Sequence, residues 1–393
     1  MPGKRVLILV ENLSVPLDRR VWQESLALTR AGYEVVVVCP LGDGYDMEPY
    51  IRLDGIEIHR YALRGASSSL GYLREYLTAV WRMLRIARAA RPFDVVQACN
   101  PPDLLFLVGI PFKLGGAKFI YDQHDLIPEL YLSRFGRGKN LVYRTLLLFE
   151  RCTYRLADVV ISTNDSYREK ALERGAKAEG RVFVVRSTPA LDRFRPLPPA
   201  PALKEGKAHL LAYLGVMGPQ DGIDYALRAL AHLRDWRQDW RAVFIGSGDE
   251  IEPMLGLRAE LGLDELVTFT GRLPDEDVRR YLSTADVCLA PDPLNPLNDV
   301  STMNKIVEYM AIGRPLVSFD LREARVSAGE AALYAPPNDE RAFAALIGQL
   351  LDDPAERERR GRIGRERVEQ ELAWEHSERA LLEAYETALG PQP

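Results

Sequence analysis

Short apolar runs rich in β-branched residues alternate along the chain with segments whose apolar residues return every three or four positions. Arg5–Val10, Glu34–Cys39, Phe93–Ala98, Lys118–Asp122, Asp158–Ser162 and Val182–Arg186 form a first set of runs. They are apolar on both faces, as strands of a helix-covered parallel sheet must be. A second set follows at His209–Gly215, Arg241–Gly246, Leu266–Thr270, Asp286–Pro291, Pro315–Phe319 and Ala332–Ala335. Helical patterns such as Asp275–Ala285 and Met303–Ile312 separate these runs. The order predicts an α/β chain of two doubly wound, Rossmann-like domains. In open parallel sheets ligands bind beyond the carboxyl ends of the strands, so the strand-end loops of the two domains are expected to face a cleft.

The break between the sets is compositional. Five prolines fall between Pro189 and Pro201, and the charged Lys204-Glu205-Gly206-Lys207 follows, which reads as a linker. The tail beyond Asp352 is highly charged with helical spacing and carries Leu372, Trp374, Leu381, Leu382 and Tyr385. The expected division is an acceptor domain over 1–187, a linker over 188–207, a nucleotide-sugar domain over 208–370 and a terminal helix over 371–393 that packs back on the first domain.

Charge and cysteine use narrow the classes. The 393 residues carry 51 Lys+Arg against 56 Asp+Glu, net −5, so no overall basic field exists to hold nucleic acid. The halves differ, with 29 basic and 22 acidic residues in 1–200, net +7, and net −12 in the remainder. A basic first half suits an anionic membrane or an anionic substrate, although such asymmetry is also common without a specific cause. Cys39, Cys99, Cys152 and Cys288 are scattered, without metal-ligand spacing, and read as buried thiols in a reducing cytoplasm. No apolar stretch approaches the ~20 residues that span a bilayer, and the first run is too short for a signal peptide.

The most informative segment is Asn298 to Pro315. Polar residues 298–302 precede a helix that Gly313 and Pro315 end, so the amides near Ser301–Asn304 offer a seat for phosphate. Lys305 opposes the helix dipole in the first turn unless an anion is near, and Glu308 shares a side with Asn304. A capped surface helix with a Lys305–Glu308 ion pair is the competing reading. The segment resembles the donor-binding signature of the family-4 retaining glycosyltransferases of GT-B fold, a Glu-x7-Glu run that enters Glu-Ala-Met-Ala-x-Gly-x-Pro. Glu308-Tyr309-Met310-Ala311-Ile312-Gly313-Arg314-Pro315 fits the second half. The resemblance implies that Glu308 binds the ribose and that Asn304 is the family's common asparagine. Val300 stands where the first glutamate belongs, which marks a divergent sub-branch. Either it reads a different sugar, or Asp299 with Ser301 and Thr302 replaces that contact.

Tyr213 to Asp224 resembles the family's first strand-loop-helix of the second domain, with Gly215, Gly218 and Gly222 placed for close approach to a diphosphate. Plain turn geometry is the alternative for these glycines. Val216 and Asp221 replace the usual arginine and lysine, leaving Lys305 and the helix N-termini as compensation, with Arg272 weaker. Phe244-Ile245-Gly246-Ser247-Gly248-Asp249 resembles the family's strand-Gly-x-Gly turn, and Trp374-Glu375 its closing helix.

In the first half, Phe119 to Glu129 sets His124 with Asp122, Asp125 and Glu129 just past a strand end. The resemblance places His124 in the reaction pocket, orienting sugar hydroxyls or a backbone carbonyl rather than acting as a general base. Asp18, Arg19 and Arg20 follow the first strand and, with Glu129, are the candidate acceptor contacts. A salt bridge from the arginines to Asp18 or Glu24 is the alternative. Arg74, Arg82, Arg85, Arg88 and Arg91 oppose the single acid Glu75 with Trp81, Met83, Leu84 and Ile86 interspersed, and Arg134, Arg137, Lys139 and Arg144 add to them. That pattern leaves peripheral contact with the inner face of the cytoplasmic membrane open beside a core helix with a solvated basic face. Asp275-Glu276-Asp277 imitates a metal-binding Asp-x-Asp but starts a helix, where capping explains it.

The resemblance thus implies a cytoplasmic retaining glycosyltransferase that needs no metal or cofactor. It would use a nucleotide sugar and a saccharide or lipid-linked saccharide acceptor, in cell-surface polysaccharide biosynthesis. A nucleotide-sugar epimerase or phosphorylase of the same fold, or an inactive sugar-nucleotide-binding protein, stays open. A nicotinamide dehydrogenase does not, for want of Gly-x-Gly-x-x-Gly after any strand.

Overall fold

The computed structural model describes residues 3–42, 46–63, 69–136 and 138–390. Arg137 of the basic set lies outside them. The chain divides into two compact units, Met1–Ser187 with His376–Pro393, and Thr188–Glu375.

The first unit is built on β1 (Arg5–Leu9), β2 (Glu34–Pro40), β3 (Tyr50–Leu53), β4 (Ile56–Tyr61), β5 (Val95–Cys99), β6 (Lys118–Gln123), β7 (Val159–Ser162) and β8 (Val182–Val184). Their order in the sheet is β3-β4-β2-β1-β5-β6-β7-β8. All neighbours pair in parallel except β3 with β4. That hairpin is an element the apolar runs did not reveal. It turns on Asp54 and Gly55, whose φ values of 49° and 85° are both left-handed, as a two-residue mirror-image turn requires.

The second unit carries β9 (His209–Leu214), β10 (Trp240–Ile245), β11 (Val267–Gly271), β12 (Val287–Ala290), β13 (Leu316–Phe319) and β14 (Ala332–Ala335). Their order is β11-β10-β9-β12-β13-β14, all parallel. Both units are therefore Rossmann-like and doubly wound. The strand order reverses between β1 and β5 in one and between β9 and β12 in the other, and these switch points are where such sheets bind ligands. Residues 188–207 run along the second unit with a turn at 191–194 and a 3-10 helix at Pro201–Lys204, and the Leu197 and Ala200 amides donate to Ser283 Oγ and Thr284 Oγ1. The acids 275–277 occupy the first helical turn behind Pro274 without a side-chain cap, so the dipole, and not a capping hydrogen bond, accounts for them.

The tail is helical over Glu340–Asp352, Pro354–Arg367 and Trp374–Leu389, with a π-helical turn at Val368–Leu372. In the first unit the last helix buries Leu381 and Tyr385, and Tyr385 meets the Tyr33 ring edge-on at 5.6 Å. No helix among the described residues is long and apolar enough to cross a membrane.

Candidate active site

Loops at the carboxyl ends of β9, β10 and β12 and the helix Asn304–Ala311 converge in the second unit. Tyr309 fixes that helix: its hydroxyl donates to Leu289 O at 3.0 Å and accepts from the Leu214 amide at 2.8 Å, tying it to β12 and β9. The helix begins at Met303 without a side-chain cap, so its first amides have no partner within the helix. Asn304 is exposed and Glu308 half-buried, whereas Lys305 is buried. Ser301 and Thr302 are half-buried just before the helix, with Ser301 Oγ donating to Leu297 O at 2.8 Å. Asp299 Oδ1 accepts from the Arg322 amide at 3.0 Å.

Lys305 differs from the expected open cation. Its Nζ donates to Asp292 Oδ1 at 2.5 Å, lies 4.0 Å from Asp221 Oδ1 and sits 5.1 Å from the centre of the Tyr213 ring. Burial would lower the Lys305 ammonium, but Asp292 and Asp221 outweigh it and hold the group above the ordinary lysine value. Two carboxylates thus surround the cation on which the sequence reading leaned.

The glycines also have internal reasons. A side chain at Gly246, φ +141°, would lie 1.8 Å from Gly215 O, and one at Gly222, φ +71°, would lie 2.1 Å from Pro291 O. The amides of Gly215 and Gly218 donate to Ile245 O and Asp221 Oδ2. Gly222 and Gly246 thus pack on backbone, whereas a side chain at Gly215 or Gly218 would meet Tyr213 Oη or the Gln220 amide.

In the first unit, Asp122 at the end of β6 is wholly buried and meets several donors. Arg20 Nη2 reaches Oδ1 at 2.7 Å, while Gln97 Nε2 at 3.1 Å and His124 Nε2 at 2.7 Å meet Oδ2. Burial alone would raise the Asp122 carboxyl, but Arg20 and His124 prevail and hold it well below the carboxylate range. Burial likewise would lower His124, but Asp122 outweighs it and holds the imidazole above its ordinary value. Glu24, buried beside this pair, is raised by burial and by Asp122.

These contacts engage three of the four candidate acceptor residues, Asp18, Arg20 and Glu129, within the fold. Arg20 is buried, pairs with Asp122 and with Glu24 at 3.1 Å, and donates to Val185 O, so the ion-pair alternative is the one the fold uses. Asp18 caps the helix Arg19–Arg30 by accepting from the Val21 amide, and Arg19 is exposed. Glu129 is buried against Arg174, which also reaches Glu150. Cys99, Asp122 and His124 bring ligand atoms within 4.8 Å of one another. Arg20 already occupies Asp122 with a fixed positive charge, so this trio does not fit a divalent ion. Gln97 has no place in the sequence reading, where Glu24 enters only as an ion-pair partner and Tyr385 only as a tail residue. A polar Gln97 inside the run Val95-Val96-Gln97-Ala98-Cys99 was the signal available.

Over residues 17–188 the chain matches the family described as glycosyl transferase 4-like domain, and over 208–353 the family described as glycosyl transferases group 1. It is 25% identical over 391 residues to a glycogen synthase of Mycobacterium tuberculosis, covering 94% of this chain and 90% of that one. The sucrose-phosphate synthase of Thermosynechococcus elongatus superposes with a TM-score of 0.81 at 22% identity, covering 97% and 98% of the two chains. Anabaena HepE in complex with UDP-glucose does so with 0.74 at 16% identity, covering 98% and 99%.

Proposed function

Because the chain joins a glycosyl transferase 4-like domain to a glycosyl transferases group 1 domain, it belongs to the GT-B glycosyltransferases, and from that premise we propose retaining transfer from a nucleoside-diphosphate sugar. The second unit holds the nucleotide, and the first holds a saccharide acceptor carried on a lipid, as in cell-surface polysaccharide assembly. The observation that carries the donor half is the uncapped helix start at Met303, set at the β9/β12 switch point with Asn304 and Glu308 on its accessible side. Such a start suits the diphosphate, and Glu308 suits a ribose diol. Lys305 contributes only as far as the diphosphate competes with Asp292.

His124 touches the sugar as a donor. Its Nε2 is engaged by Asp122 Oδ2 at 2.7 Å and is not open to an acceptor hydroxyl. The acceptor's proton therefore passes to the leaving diphosphate oxygen as the sugar–phosphate bond breaks and the new glycosidic bond forms on the same face. No metal enters this scheme.

Calorimetry with UDP, GDP and ADP and their sugars tests the donor site. Glu308→Ala is expected to raise the donor Kd by one to two orders of magnitude, about 1.4–2.8 kcal/mol. An unchanged Kd refutes the assignment, and conversion of donor without acceptor favours an epimerase.

The lipid-linked acceptor finds support in one face of the first unit. The helices Ser69–Ala90, Phe106–Leu114 and Leu141–Leu156 lie side by side over the sheet. Outward they present Leu77, Trp81 (58% exposed), Leu114 and Leu148. Arg74, Arg85, Arg88, Arg144, Arg151 and Arg155 are exposed on the same helices. Exposed apolar residues and cations on the same helices suit the surface of an anionic bilayer.

A further inference from the structure

A line of buried side chains joins the last helix of the chain to His124. Tyr385 and Gln97 are both fully buried, and Tyr385 Oη donates to Gln97 Oε1 at 2.5 Å. Gln97 Nε2 in turn donates to Glu24 Oε2 at 2.7 Å and to Asp122 Oδ2 at 3.1 Å. The same Asp122 oxygen meets His124 Nε2 at 2.7 Å. Glu24 comes from the helix Arg19–Arg30, Gln97 from β5 and Asp122 from β6, so three elements and the tail meet at one point.

The direction of the Gln97 amide decides what Asp122 experiences. A carboxamide has a donor end and an acceptor end, and either can face a given neighbour. With its oxygen toward the ionised Asp122, Gln97 would leave two buried acceptors facing one another, a costly arrangement. Tyr385 removes that option. Burial, then the nearby Glu24, hold its phenol far above the ordinary tyrosine value, so it remains a hydrogen-bond donor and claims the amide oxygen.

We propose that Tyr385, acting through Gln97, is a positioning residue for the Asp122–His124 pair, so that the C-terminal helix sets the proton affinity of the imidazole. The inference rests on the reading of His124 as the sugar-touching group. The groups that face His124 and Asp122 are Asp18, Arg20 and Glu24 from the first helix, Gln97 and Cys99 from β5, and Asp125 from the following loop. Of these, Gln97 alone is a neutral donor whose orientation depends on the tail. Without its N–H the Asp122 carboxylate is less well stabilised, becomes more basic and grips the His124 proton more firmly.

The chain has five histidines, so each imidazole can be followed by nitrogen-edited NMR across a pH titration of the whole protein without substrate. Tyr385→Phe, which removes one oxygen, is expected to raise the His124 pKa by about half a pH unit, and Gln97→Met, which keeps the volume, by more. The double variant is expected to match Gln97→Met alone, since Tyr385 acts through Gln97. Tyr33→Phe, beside the Tyr385 ring but outside the chain of bonds, is expected to leave the titration unchanged and serves as a packing control. A null or downward shift in folded Tyr385→Phe, or additive shifts in the double variant, overturns the proposal. Because the titration uses no substrate, its failure is distinct from that of the catalytic reading, which fails instead if His124→Ala retains full transfer activity.

Discussion

Asp122 remains ionised inside the first unit because Arg20, Gln97 and His124 all aim donors at it. Removing the guanidinium leaves that charge without its main partner. Arg20→Met is therefore expected to cost about 3–5 kcal/mol in urea unfolding. Glu11 is the opposite case. Burial, and then the charge of Glu75, push its carboxyl up to about 8, and Oε1 has no hydrogen-bond partner among the described residues. A carboxyl raised on folding gives its full contribution below the unfolded value, near 4.5, and loses it as pH climbs through 8. Glu11→Gln should thus leave stability nearly unchanged at pH 4.5 and raise it by roughly 1–3 kcal/mol at pH 8.5. Urea midpoints at the two pH values check this. An equal gain at both would show that Glu11 is not the titrating group.

At the scale of elements, the helix Asn304–Ala311 depends on one phenol for its place at the switch point. Tyr309→Phe leaves the Leu214 amide without its acceptor, so a loss of about 1–3 kcal/mol is expected, with weaker donor binding as the helix start shifts. Denaturation and calorimetry on the same variant separate the two effects. Gly246→Ala is expected to cost about 2 kcal/mol or more, because its methyl group would overlap Gly215 O. Every strand but β3 and β4 was legible in the apolar runs, since a strand covered on both faces must be apolar on both. The β3–β4 hairpin was not. Its residues alternate instead, and only Asp54-Gly55 announces the turn.

For the whole molecule, the basic and apolar helical face predicts salt-sensitive binding to anionic vesicles and little to neutral ones. Near such a surface each cation contributes about 1 kcal/mol, so Arg85→Glu with Arg88→Glu is expected to weaken partition by at least about 30-fold. Trp81→Ala should weaken it at high and low salt alike. Co-sedimentation that does not distinguish the two kinds of vesicle removes the membrane reading without touching the donor site.

The sequence by itself determined two doubly wound domains and all of their strands but β3 and β4, because periodicity and turn chemistry act over a few neighbouring residues. Which polar groups meet was decided only by the tertiary structure. Arg20 and Asp122 are 102 positions apart, and Tyr385 and Gln97 are 288 apart. Their encounters follow from sheet register and from where the last helix lies. The same holds for Lys305, whose place in the motif gives no sign that Asp292, thirteen residues earlier, claims its charge. A buried ion takes whichever opposite charge the packing brings nearest, and linear spacing does not encode that.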